Sequence, residues 1–158
     1  VANTQSMCTS FMGQLLTATH NFGTAPTRGT SAADTFKAAL YLTTATINAA
    51  TTAYSATGEV SGTGYTAGGI AVTNATAPSS TNTSSTAGVA YWTPSANLVY
   101  TTVTLTTAFD TVLIYNSTQS NAAVSVHTFG AQTVTAGTFT LTMPSNTTTT
   151  ALLRLSTT

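Results

Sequence analysis

The chain has 158 residues, enough for one hydrophobic core and short for two, and only 4% of them are charged against roughly a quarter in an ordinary globular domain. Three Lys and Arg balance three Asp and Glu, which excludes the clustered lysine and arginine that nucleic acid or an anionic membrane would require. No apolar run reaches transmembrane length, no basic-then-apolar leader is present, and the single cysteine, Cys8, leaves no internal disulfide to form. The chain therefore reads as soluble. Threonine supplies about a quarter of it, and threonine favours strands through its β-branching. A monomer this neutral lacks the repulsion that keeps proteins apart, so permanent packing beside identical neighbours is the natural expectation.

In chain order, residues 6–22 carry the best helix pattern: Met7, Phe11 and Leu15 fall four apart, with Met12 and Leu16 extending the stripe. His20-Asn21-Phe22-Gly23 reads as its stop, and 24–33, with Pro26, Arg28 and Gly29, as a surface connection. Residues 34–42, DTFKAALYL, form the first clear strand, alternating Phe36, Ala38, Leu40 and Leu42 against Lys37, Ala39 and Tyr41, although a short helix stays open there. A Thr/Ala segment follows over 43–57, with room for a helical turn at 45–49.

Residues 58–69, GEVSGTGYTAGG, pack five glycines around the only glutamate. Gly58, Gly62, Gly64, Gly68 and Gly69 imply a specified connection in which the backbone turns left-handed or approaches another strand closely. A phosphate loop is excluded, because no Lys-Ser or Lys-Thr pair and no long helix pattern follow. Glu59 is expected to be held by nearby amides or a rare cation, or else to be a solvated loop acid.

Beyond it, 70–76 and 88–92 read as strands, and 78–86 as a polar loop or arm tip. Residues 97–107 are strongly β, 108–110 a break, 112–115 a strand and 116–121, NSTQSN, a turn. Then come 122–129, a punctuation at Gly130, clean alternation of Phe139, Leu141 and Met143, and a closing strand over 151–155. About eight short strands joined by Gly/Asn/Pro turns give an all-β class: an antiparallel sandwich or jelly-roll-like domain with a short N-terminal helix. The division is an N-terminal helical segment or arm over 1–23 and a β-sandwich domain over 34–158.

Little in this chain can carry chemistry. His20 and His127 are the only histidines, and His127 falls opposite the face of Val124 and Val126, where a solvent or interface imidazole is expected rather than a ligand. Asp34 and Asp110 sit at a strand start and a strand break, which reads as turn or cap duty rather than a glycosidase pair. No G-x-S-x-G elbow occurs and no thiol-enzyme signature follows Cys8. Catalytic residues, metal ligands and cofactors are thus all expected to be absent. Tyr91, Trp92, Tyr100, Tyr115, Phe129 and Phe139 read as core or interface before they read as a stacking surface.

The runs FMGQLLTATHNF (11–22), DTFKAALYLTTA (34–45), TAYSATGEVSGTGYTAGG (52–69), VLIYNSTQSNAAVSV (112–126) and FTLTMPSN (139–146) together resemble a family of small virion structural proteins of tailed bacteriophages. Residues 71–108 match least, and the glycine-rich run is the most distinctive part. The resemblance implies a non-catalytic virion component, best a capsid decoration (cement) protein forming a homotrimer on the major capsid protein, assembled in the host cytoplasm. A neck, tail or fibre-associated protein is the rival, and an adhesive carbohydrate-binding module stays open. Met7, Phe11, Leu15 and Phe22 are the expected subunit or capsid contacts, and Gly58, Glu59, Gly62, Gly64, Gly68 and Gly69 the structural loop.

Overall fold

The computed structural model describes residues 3–16, 18–22, 32–74, 76–81 and 88–156. Its elements are β1 (Ser6–Met7), α1 (Thr9–Leu16), β2 (Phe36–Leu42), β3 (Ile70–Val72), β4 (Ser79–Ser80), β5 (Val89–Trp92), β6 (Leu98–Asn116), β7 (Ala122–Leu141) and β8 (Leu153–Ser156). Strand pairing throughout is antiparallel. One sheet runs β1-β7-β6-β2-β3 and the other β4-β5-β8, and the two pack together as a β-sandwich.

The long hairpin of β6 and β7 is the frame. The turn expected at 116–121 joins them, but the breaks expected at 108–110 and Gly130 are not strand ends: both strands run on through them, with register shifts around Val103, Leu105 and Phe109. An inserted residue flips the side-chain parity and bends the strand, so a bulge reads in sequence as an interruption. The bending is large. Ten residues of straight strand would hold Phe129 and Phe139 about 33 Å apart, yet their ring centroids lie 5.4 Å from each other, and Phe109 meets Phe139 edge-on at 5.0 Å. The early part of β6 also folds over β2, where the buried Tyr100 hydroxyl donates to the Ala38 carbonyl at 2.9 Å.

Strand β2 differs from its expected alternation. Phe36, Ala38, Ala39, Leu40 and Tyr41 are all buried, because the hairpin covers one face and the rest of the chain the other. Near the N-terminus the helix is shorter than its apolar stripe: Ser6 and Met7 pair with Val126 and Ser125 of β7, and only Thr9–Leu16 is helical. Ala18 turns left-handed (φ 54°) just beyond it, so His20, Asn21 and Phe22 leave the helix as irregular chain. Cys8 and Phe11 are buried with the sandwich core. The expected stop at Gly23, the connection with Pro26, Arg28 and Gly29, and most of the polar loop at 82–87 lie outside the described residues. Residues 45–49 are bends and irregular chain leading into a turn, not helix.

The glycine-rich run threads between β2 and the early half of β6. Thr63 bridges Thr104, and a Cβ on Gly62 would overlap the Thr104 carbonyl oxygen. At Gly69 (φ 72°) a Cβ would overlap the Ala38 carbonyl oxygen in a left-handed conformation that side chains resist. Gly130, by contrast, has open space around it. Gly69→Ala should therefore lower the unfolding free energy by roughly 3 kcal/mol or more, while Gly130→Ala stays within about 1 kcal/mol of wild type, as read by urea unfolding.

Candidate functional site

Glu59 sits at the mouth of the glycine run, half-buried and bridged to Tyr41 of β2. Its carboxylate accepts from the Tyr54 hydroxyl (2.6 Å), the Tyr65 hydroxyl (2.7 Å) and the Gly68 amide (2.8 Å). The Tyr65 oxygen in turn accepts from the Leu40 amide at 3.0 Å, and the Tyr115 hydroxyl donates to the Gly68 carbonyl at 2.8 Å. Of the alternatives weighed from sequence, the carboxylate has one amide, and two phenols stand where a cation was considered. Burial pushes the Tyr65 and Tyr54 phenols up, and the hydrogen bond to Glu59 pushes them further, so both remain donors. Such a carboxylate has its lone pairs engaged by structural donors, and its work is to hold the run against β2. Glu59→Gln should cost about 2 kcal/mol of stability, since it exchanges charge-assisted bonds for neutral ones beside two partly covered phenols. Chemical unfolding of the variant checks this.

A second polar knot ties the N-terminal segment to the β6–β7 turn. Asp34 is buried, and its carboxylate accepts from the Asn21 amide (2.8 Å), Asn116 Nδ2 (2.6 Å) and Gln119 Nε2 (3.2 Å). Asn116 Oδ1 accepts from the Thr118 and Gln119 amides, which fixes its side-chain orientation and leaves Nδ2 as the donor to His20 Nδ1 at 3.1 Å. His20 is then the tautomer whose Nε2–H donates to Gln14 Oε1 at 2.8 Å. Burial lowers the His20 pKa, partly offset by the Asp34 charge. Asp34 is thus more than the cap its position suggested. The knot was illegible in sequence, since its members come from four separate segments.

The remaining ionisable groups stand apart from these. Asp110 accepts from Asn3 Nδ2 (2.9 Å) and the Thr111 hydroxyl (2.7 Å). Burial raises the Cys8 thiol to about 11, which suits a small apolar contact and not a nucleophile. His127, expected to face solvent or an interface, is half-buried against an apolar hollow that includes Val112, Ile114, Phe129 and Leu141, with Nε2 2.9 Å from Ser125 Oγ. Among the described residues no group of three or more His, Cys, Asp or Glu converges to hold a metal. Of the acids and histidines weighed for catalysis, His20 and Asp34 share one hydrogen-bond network through Asn116, while Glu59, Asp110 and His127 each have other partners.

Burial lowers the His127 pKa from 6.5 to about 4. The unfolded chain therefore takes up this proton first as pH falls, and the stability held at neutral pH is lost between about 6.5 and 4. Comparing His127→Gln with wild type in unfolding experiments from pH 7 to pH 4, the variant should gain relative stability on acidification, by at most about 3 kcal/mol.

The expected contact residues converge on a different feature. Met7, Phe11, Leu15 and Phe22 line one side of an apolar hollow of about 110 Å³, and Trp92 and Leu153 of the small sheet line the other. Phe22 stacks on Phe36 at 4.4 Å and meets Trp92 at 4.7 Å. Phe11 itself is only 2% exposed, and Met7, Leu15 and Phe22 are partly buried against the core. What α1 leaves open is Met12, 48% exposed, while Leu155, at the rim of the hollow, is 41% exposed.

Comparison with protein-family models, curated proteins and solved structures finds no match for this chain. Its site must therefore be read from its own geometry. Of the aromatic residues considered as a stacking surface, Trp92, Tyr100 and Tyr115 are buried, and Phe129 and Phe139 pack partly buried against the core. Among the described residues the geometry yields polar knots whose bonds are internal and, beside α1, an apolar hollow open to the outside.

Proposed function

We propose that the protein is a non-catalytic structural subunit of a tailed-bacteriophage virion, one that decorates or cements the capsid shell through many repeated contacts. The observation that carries the reading is the apolar hollow beside α1, with Leu155 exposed at its rim and Met12 exposed on the helix, on a chain with only six charged side chains. Such a surface suits contact with another protein better than a charged or polar ligand. The resemblance of residues 11–22, 52–69 and 112–126 to small virion proteins supports the same reading. Each copy needs only a modest contact, because many copies on one shell act together. The major capsid protein is the partner, the assembled subunit is a homotrimer, and the virion is the location, reached from the host cytoplasm. A jelly-roll-like closure, with the bent halves of β6 and β7 serving both layers, belongs to this reading.

Purified protein should co-sediment with purified shells that lack it. Met12→Ser combined with Leu155→Ser should weaken that binding at least about tenfold, since each removes roughly 1 kcal/mol or more of apolar contact. The unfolding midpoint should stay near wild type, because both side chains are substantially exposed. Absence of wild-type protein from the shell pellet at micromolar concentration overturns the reading, and density at the neck or tail in particle images relocates it.

A further inference from the structure

The hairpin leaves one long strand edge open. β1 covers β7 only at Ser125 and Val126, and the Gln5 side chain reaches Thr128 at 3.4 Å. From 129 to 141 every strand pairing of β7 is to β6, and no backbone hydrogen bond among the described residues reaches its other side. A strand paired on one side presents a row of free N–H and C=O groups on the other. Natural edges are commonly blunted by lysine, by proline or by bulges. Here the whole of β7 contains no charged residue and no proline. Its irregularities end at Gly137, and Phe139, Thr140 and Leu141 pair in unbroken register with Tyr100, Val99 and Leu98.

We infer that the free edge at residues 137–141 of β7 pairs, antiparallel, with the same edge of a second copy of this chain. This rests on the reading of the protein as one that works through repeated subunit contacts, and the two-fold edge joins one trimer to the next and does not close the trimer. The occupant follows from self-complementarity. An antiparallel pair of identical strands is related by a two-fold axis, so residue i of one copy meets residue j of the other and j meets i, and any like-charge pair would be set against itself twice. A strand with no charge has no such conflict, and a net charge of zero removes long-range repulsion between copies. With the axis at Phe139, Thr138 of one copy lies opposite Thr140 of the other, twice. Both threonines are exposed, while Phe139 and Leu141 are partly buried against the core, so pairing extends the sheet without moving the core.

The register makes the test specific. In T138K/T140K every lysine would face a lysine across the axis, whereas in T138K/T140D each lysine would face an aspartate. Sedimentation of the wild-type protein should show association beyond the trimer in the micromolar range. T138K/T140K should weaken it at least about tenfold, and T138K/T140D should return it to near the wild-type value. Unfolding midpoints of both variants monitor the fold, and the charge-swapped pair shows whether substitution at these exposed sites is itself harmful. A wild-type chain no larger than a trimer at about 100 µM, or equal association of all three proteins, overturns the inference. The same three proteins added to shells separate this claim from the functional one: shell binding by a chain that never self-associates sinks only the edge, and self-association without shell binding sinks only the functional reading.

Discussion

The close fit of the glycine-rich run between β2 and the early half of β6 is the constraint on which the rest of the structure depends. Backbone meets backbone there, at Gly62 against Thr104 and at Gly69 against Ala38, with no room for a side chain. Hydrogen bonds lock it on both sides: Val60 and Leu42 exchange bonds with Leu40 and Gly58, and Thr104 donates to Thr63. Glu59 then gathers Tyr54, Tyr65 and Gly68 onto one carboxylate. Because Tyr65 also takes the Leu40 amide, the carboxylate is coupled through one phenol to the most buried strand in the molecule. A long bent hairpin alone would have little to hold its bend; this run is the wedge that gives the bend its geometry.

The scarcity of charge acquires a physical meaning from the same geometry. Glu59, Asp34 and Asp110 are each met by neutral donors, hydroxyls, amides or carboxamides. Neutral donors can hold a carboxylate at modest desolvation cost without a second buried charge. Both histidines are pushed toward their neutral forms by burial. The interior is therefore wired by polar but mostly uncharged groups, and the surface is left with hydroxyls. That arrangement gives up electrostatic steering, and it suits contacts formed once and kept.

How much of this was legible depends on what each feature is made of. The all-β class, the turn at 116–121 and the strands at 36–42, 70–72 and 89–92 follow from local alternation and turn chemistry, and they are visible in the sequence. Continuity of β6 and β7 was hidden, because bulges shift parity and a parity shift looks like an ending. The helix was overextended for a different reason: the spacing of Met7, Phe11 and Leu15 is helical, but Met7 is taken by pairing with β7, a long-range choice that no local pattern encodes. Glu59 was legible as a held acid because it stands alone among glycines. Asp34 was not, since its partners Asn21, Asn116 and Gln119 are ordinary turn residues until the fold gathers them.

The hollow beside α1 and the open edge of β7 solve different problems with the same material. A hollow lined by Met7, Leu15 and Trp92 gains from burying apolar surface, which is tolerant of exact geometry and of partner sequence. A strand edge gains from main-chain hydrogen bonds, which demand register but need no particular side chains. On a chain with so few charges neither contact can be steered at long range, so each copy must find its place by short-range fit. Weak, geometry-limited contacts of this kind become strong only when neighbours hold one another in position. With the edge joining copies as inferred above, the effective concentration of the hollow at the surface proposed for it rises, and the two proposed contacts favour each other without any new contact between them.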